Sequence, residues 1–535
     1  MRSPIHWHAG ASTLVCLLFL TTGFAAPGLS TEQWREDLAF AQEQMPEKHA
    51  NLFHRLDPAE FDAAFDALNS ELDGLEEHQI VVRLAQIVVS VGDGHSRLTL
   101  PFESGAGFFR GHTGTADANI ESFRYFPLRL QRVSDGFVVV QTDSGNSQLL
   151  WSRLMAIDGR PIDAITAAIE PVVQRDNQNQ VDHLMQRFIV VPEILHARGV
   201  IDDMESSEWT FVTREGMTET VDLEPVPLGT DVNWQRIRPG ELPLYQRNSD
   251  LNYWFEFLPE SKTVYFHYAE VVEHDGENIS EFAERLFAFI DENDVDHMVI
   301  DLRGNVGGNN SLNKPLIRGV VRAKKLWEPG SLFVITDGGT FSAAMNYATA
   351  LEQLTPAVFV GEGTGASPNS YGDSRKLVLP NSGLTIRLSS LYWQDSSPQD
   401  PRDSIEPLIP AQPTAEDHLS GRDPAMVEIE RLIASSGSPA GNWTGTVAFP
   451  YMRVPLMLQI EQSPQTQGKM MIPALGVESA PLVDVLVQGS RATAEAQLET
   501  RGAPLAFRAA GDTLIGWVEY QGMPYPAVLQ RNEPR

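Results

Sequence analysis

Cysteine is all but absent from this chain. Its one Cys, Cys16, falls in an apolar N-terminal run, so the rest of the chain has no disulfide and no thiol nucleophile. Basic residues are also scarce: 40 Lys and Arg stand against 71 Asp and Glu, a formal charge of −31. Such a surface repels nucleic acid and anionic lipid, which removes both as expected partners. No stretch is long and apolar enough to span a bilayer, and no internal repeat is evident. The hydrophobic share, 42% of 535 residues, is that of a globular chain. Length suggests roughly three or four domains.

The N-terminus reads as a targeting signal. Arg2 and two His precede Leu14-Val15-Cys16-Leu17-Leu18-Phe19-Leu20, and small residues follow at Gly23-Phe24-Ala25-Ala26. Cleavage is expected after Ala25, with Ala26 the close alternative, which makes residues 1–25 a signal peptide and the mature protein exported. Cys16 lies inside the run behind the bulky Val15, a poor setting for a lipid-anchored Cys.

Residues 26–100 read as a helical domain. Trp34, Leu38, Ala41 and Met45 recur at helical steps, as do Phe61, Phe65, Leu68 and Leu72 after Pro58. His49 and His54, in the break between them, read as helix-end or surface residues, with no third ligand at zinc spacing. A further helix is expected from Ile80 to Val91. Residues 101–250 read as a β-rich domain that opens with a Gly-rich loop, Gly105–Ala118. It is either scaffold or a degenerate, PDZ-like peptide-docking unit, with helical residues at 176–200 and a hairpin at 208–225.

From Leu251 to about residue 435 strand, helix and strand alternate: Thr263–His267, Ile279–Asn293, Met298–Arg303, and on through Ala357–Val360. That alternation predicts a parallel sheet covered by helices, with functional residues beyond the strand C-terminal ends. Residues 436–535 change character to short strands, with Val454, Leu456, Leu458 and Ile460 in clear alternation. A small antiparallel barrel or sandwich is expected there. The fold class is thus α/β: an N-terminal helical segment, a central βαβ core and a C-terminal all-β domain.

Three turns carry candidate chemistry. In Leu332–Met345 a β-branched run stops at Asp337-Gly338-Gly339-Thr340, and Ser342 follows at the start of a helical pattern. Free N–H groups at a helix N-terminus favour a developing oxyanion beside such a hydroxyl. A Ser there also serves as an ordinary N-cap. Gly92-Asp93-Gly94-His95-Ser96 is a tight turn that presents an imidazole, either structural or the base a Ser nucleophile needs. Asp301-Leu302-Arg303-Gly304-Asn305-Val306-Gly307-Gly308-Asn309 follows a buried strand, and its glycines allow main-chain N–H groups to approach a carbonyl closely. Alone, it reads equally as a Gly-rich loop that binds an anion or nothing.

Together these turns, with Glu362-Gly363-Thr364-Gly365 and Ile405-Glu406-Pro407, resemble the S41 peptidases: the C-terminal processing proteases, the tricorn core and their relatives. The resemblance covers about residues 30–435 and implies a ClpP/crotonase-like core. It implies Ser342 as nucleophile and Gly307 or Gly308 with Ala343 as oxyanion donors. One branch of the family activates its Ser with a Lys in a Gly-Lys turn. Here that region reads Gly363-Thr364-Gly365-Ala366-Ser367-Pro368, and Lys376 comes too late. The tricorn-like branch uses a His matching His95, oriented by a downstream carboxylate. Asp395, Asp400, Asp403 and Glu406 lie near that place; Asp400 is the choice and Asp395 the second. Ser96 either assists His95 or caps its turn.

The leading expectation is therefore a serine peptidase acting on peptides or unfolded chains without metal or cofactor. Processing chambers in this family make an oligomer compatible with it. A non-catalytic binding protein on the same fold and a hydrolase of a non-peptide ester or amide are the two other readings.

Overall fold

The computed structural model describes residues 28–102, 119–238, 240–449, 451–462, 466–498 and 501–532. The expected signal peptide and the Gly105–Ala118 loop lie outside the described residues. None of the described helices is long and apolar enough to cross a membrane.

The first helix, Thr31–Lys48, is set by a capping box in which Ser30 and Gln33 satisfy each other's main chain. A second, Pro58–Glu71, starts at an Asp57 cap with Pro at its first position. The third runs Glu77–Val89 rather than from Ile80, because the Glu76 and Gln79 side chains cap it one turn earlier. It stops before Gly92, whose φ of 83° a helix cannot continue.

Residues Leu128–Leu223 supply six antiparallel-paired strands and three helices, Ile162–Ile169, Gln178–Phe188 and Pro192–Ala197. Their apolar side chains join those of the N-terminal helices in one cluster that runs from Trp34 to Leu223. The same cluster takes in Leu377, Leu379, Leu384, Ile386 and Leu388 from a long hairpin, Asn369–Val378 with Thr385–Gln394. The boundary expected at residue 100 therefore falls inside a shared core. Buried Asp37 fastens the tip of that hairpin, accepting from the main-chain N–H groups of Asn381 and Ser382 at 2.8 and 2.9 Å.

A second cluster surrounds a six-stranded sheet. Its order is Ile409–Pro410, Val358–Gly361, Leu332–Thr336, His297–Asp301, Thr263–Tyr268 and Tyr253–Leu258. Every pairing is parallel except that of the Tyr253–Leu258 edge. The two central strands are almost wholly buried, as strands covered by helices on both faces must be. Their C-terminal ends at Asp301 and Thr336 carry the two Gly-rich loops.

Residues Gly441–Arg531 form a closed barrel of eight strands in which sequence neighbours pair and the first strand meets the last. Trp443, Leu456, Phe507 and Leu529 are among the side chains that fill its interior. Closure leaves no edge strand exposed. Trp517 Nε1 donates to the Trp327 carbonyl at 3.0 Å and Arg508 Nη1 to the Leu432 carbonyl at 3.0 Å, joining the barrel to the rest of the chain.

Candidate active site

The strand Leu332–Thr336 ends in a turn organised by Asp337. One carboxylate oxygen accepts from the main-chain N–H groups of Gly304 and Gly339, both at 2.9 Å. Thr340 Oγ1 donates to the Leu302 carbonyl at 3.0 Å, and Phe341 N–H donates to the Asn305 carbonyl at 3.0 Å. These bonds fasten the two Gly-rich loops together. Ser342 then sits at φ 53°, ψ −126°, and the helix Ala343–Leu354 begins after it. A non-Gly residue held in that region costs on the order of 1–3 kcal/mol and persists only where its surroundings determine it. The Ser342 side chain makes no capping bond to its helix. Its Oγ instead lies 2.9 Å from His95 Nε2. An ordinary N-cap would point the other way.

His95 is held from behind by Asp93. Oδ1 of that carboxylate accepts from His95 N–H at 3.0 Å, Ser96 N–H at 2.8 Å and the Ser389 hydroxyl at 2.6 Å. Oδ2 lies 2.8 Å from His49 Nε2. His49 Nδ1 accepts the Asn51 N–H at 2.9 Å, which leaves Nε2 as the protonated nitrogen that donates to Asp93. Burial pushes the Asp93 pKa up, but the hydrogen bonds from His49, Ser389 and Ser96 win and hold it at about 2. His49 is thus a helix-end residue, the C-cap of Thr31–Lys48, as one of the two expectations had it, and its ring is a buried donor.

The His95 ring stacks on Phe341, centroids 4.3 Å apart. Desolvation lowers its pKa to about 4, against the pull of the Asp93 and Asp373 charges and the Tyr371 carbonyl. The imidazole is therefore neutral at pH 7 and able to accept a proton. Gly94 makes the approach feasible, since a β-carbon there would lie 2.7 Å from Phe341 and 2.6 Å from Gln180. Gly94 N–H donates to Oδ1 of Asp176 at 2.7 Å. Burial raises the Asp176 pKa to about 7, and the nearby Asp93 charge raises it too.

Four expected residues are placed otherwise. Asp400 does not face His95: it accepts from the Ser396 hydroxyl at 2.6 Å and from Arg402 at 2.9 and 3.0 Å. Arg402, two residues on, turns back onto it while also pairing with Glu352. Asp395 accepts from Asn346 Nδ2, and burial raises its pKa. Ser96 is buried, and its hydroxyl accepts the Ser389 N–H at 3.2 Å. Gly307 N–H is taken by Oδ1 of Asn305 at 3.0 Å, so it is not free for an oxyanion.

The N–H groups of Gly308 and Ala343 have no acceptor among the described residues. Gly307 itself, at φ 97°, brings its loop against the nucleophile's backbone: a β-carbon there would lie 2.6 Å from Ser342 Cβ and 2.7 Å from Ala343 N. At Gly308, φ 143°, one would lie 2.2 Å from the Val271 carbonyl oxygen. Among the described residues no carboxylate is hydrogen-bonded to His95 Nδ1; the main-chain carbonyl of Tyr371 is the acceptor that raises the ring's pKa. Among the described residues, Glu76, His78 and His196 form one group with metal-ligand chemistry. Glu76 and His196 address opposite nitrogens of the His78 ring, at 3.5 and 2.8 Å, as in a hydrogen-bond chain.

No family model matches the chain, and no curated protein matches it by sequence. Solved structures do. Mature CPAF aligns with 13% identity and a TM-score of 0.51, over 75% of this chain and 96% of its own. Mature CPAF complexed with lactacystin aligns at 13% identity and a TM-score of 0.52, over 75% and 98%. A photosystem II D1 C-terminal processing protease aligns over 74% and 99% at 14% identity, with a TM-score of only 0.34. At such identity a likeness shows the fold alone, and the chain has an S41-like peptidase fold.

Proposed function

We propose that this protein is an exported serine peptidase that cleaves peptide bonds through an acyl-enzyme at Ser342. The observation that carries the reading is the 2.9 Å contact between His95 Nε2 and a Ser342 hydroxyl held at a helix N-terminus. An unaided Ser hydroxyl is too weak a nucleophile, and a neutral imidazole at that distance is the base it needs.

His95 Nε2 takes the hydroxyl proton as Ser342 Oγ bonds to the substrate carbonyl carbon. The oxyanion is received by the N–H groups of Gly308 and Ala343. The imidazolium returns the proton to the leaving amine, the C–N bond breaks, and an ester to Ser342 remains. Water then adds to the ester with His95 again as base, releasing the acid and restoring the hydroxyl. Each step uses groups of this chain, in the logic of a Ser–His pair whose third member is replaced. Asp93 is a positioning residue here: it fixes the His95 backbone and places a negative charge near the imidazolium. Peptides or unfolded chains are the proposed substrates, and residues 1–25 the segment that directs export.

The test is labelling of the purified protein by a fluorophosphonate probe, beside Ser342→Ala and His95→Ala. Labelling that needs both residues supports the reading. Absence of labelling from folded wild-type protein, or labelling that survives His95→Ala, contradicts it.

A further inference from the structure

A cavity of about 1040 Å³ lies between the strands Leu128–Val133 and Gly136–Thr142, the helix Gln178–Phe188, and the core loops. Ser342 and His95 do not line it. Its lining holds six arginines and no lysine: Arg132, Arg187, Arg236, Arg238, Arg303 and Arg453. The chain as a whole is strongly acidic, so this concentration of guanidinium groups runs against composition.

Four carboxylates, Asp182, Asp337, Glu362 and Glu406, line the cavity beside the six arginines. Asp182 accepts from Gln178 at 2.9 Å, Asp337 from two main-chain N–H groups, and Glu406 from Ser404 at 2.5 Å and Asn179 at 3.2 Å. Burial and the Asp337 charge push Glu362 up to about 7, which takes away part of its charge. Arg303 is committed to Asp301 and Asp423. Arg132, Arg236, Arg238 and Arg453 form no ion pair within 4.0 Å among the described residues. Arg132 and Arg453 donate only to main-chain carbonyls, and Arg236 and Arg238 are exposed to solvent. Two more lining atoms, Trp151 Nε1 and His418 Nε2, are buried without a hydrogen-bond partner.

Guanidinium forks match carboxylates, and four in this lining form no ion pair within 4.0 Å among the described residues, although Glu362 lies near Arg132, and Glu352 and Glu406 near Arg453. The volume reaches the top of the range of about 300–1,000 Å³ for small-molecule sites, enough for several residues of extended chain. We propose that this cavity binds an acidic peptide segment, whose Asp or Glu side chains pair with Arg132, Arg236, Arg238 and Arg453. Gly304, Asp337 and Gly338 form part of the lining, so the bound segment abuts the turn that leads into Ser342. The binding itself does not depend on the peptidase reading.

The experiment follows fluorescence anisotropy of labelled hexaglutamate on full-length Ser342→Ala protein, which also removes any turnover at Ser342. Hexaglutamine and inorganic phosphate serve as competitors, at low and high salt. Saturable binding that hexaglutamine does not displace, that salt weakens, and that Arg236→Ala/Arg238→Ala weakens by at least about tenfold is expected. Both positions are exposed, and circular dichroism verifies that the double variant stays folded. Displacement by hexaglutamine at equal concentration, or unchanged affinity in the double variant, overturns the proposal. Displacement by phosphate as effective as by unlabelled hexaglutamate overturns it too, in favour of a small-anion site.

Discussion

Asp93 and Asp400 have much in common. Both side chains are buried, both accept from a serine hydroxyl at 2.6 Å, and both lie below the ordinary carboxylate range despite burial. Their partners differ. Asp400 neutralises Arg402 and ends there, whereas Asp93 accepts from the backbone of His95 itself and from the hairpin behind it. An imidazole need not be oriented through its far nitrogen; here its main chain is fixed and Phe341 sets its plane. The lesson is that a carboxylate can serve a histidine from behind its turn.

That contrast can be broken most directly by removing each acid. Asp93→Ala leaves His95 N–H, Ser96 N–H, the Ser389 hydroxyl and His49 Nε2 without an acceptor. A loss of about 3–5 kcal/mol in denaturant unfolding is expected, together with loss of probe labelling. Asp400→Ala leaves Arg402 its two bonds to Glu352, so it should cost less than about 2 kcal/mol and label normally per folded molecule. Equal loss of labelling in the two variants would undo the comparison.

The pH profile sharpens it. The reactive form of His95 is the neutral one, and burial lowers its pKa to about 4. Labelling rate should be flat above that value and fall about tenfold per pH unit below it. A limb near the ordinary histidine pKa would mean that the ring is not desolvated as described.

Asp176 gives a smaller effect of opposite origin. Its folded pKa is raised to about 7, so the stability it contributes is fully present below the unfolded value of 3.8 and is lost as pH rises through 7. Asp176→Asn removes this dependence. Relative to wild type, the variant should gain more than about 1 kcal/mol between pH 5 and pH 8 in parallel denaturant titrations. A constant difference would show that Asp176 is ionised throughout. Smallest of all, Gly94→Ala should slow labelling by several-fold, about 1 kcal/mol, as its new methyl presses Gln180 and Phe341 apart. An unchanged rate would mean that the turn yields without moving His95.

Much of this arrangement was legible because it depends on local pattern. The β-branched run before Asp337 and the helical spacing after Ser342 announce a strand, a turn and a helix, and the structure has them. Alternation in residues 454–460 foretold strands in the C-terminal region, though it could not tell a barrel from a sandwich. What stayed hidden depends on side-chain direction or on distance along the chain. Nothing in the spacing of Asp395, Asp400 and Asp403 says that Arg402 will claim Asp400. The Gly307 N–H was lost to Asn305, two residues away, through a loop conformation that composition does not reveal. Asp93 stood in the open within its motif, but its role needs Ser389, 296 residues on, and a hairpin that returns to the first core.

The central claim is that Ser342 carries the acyl group. Rapid-quench mass spectrometry with a chromogenic peptide ester, on wild type and His95→Ala, tests it most directly. The account predicts a transient acyl adduct that maps to Ser342, formed in a burst by wild type and not by the variant. Turnover with no adduct at Ser342, or an adduct on another residue, would contradict it.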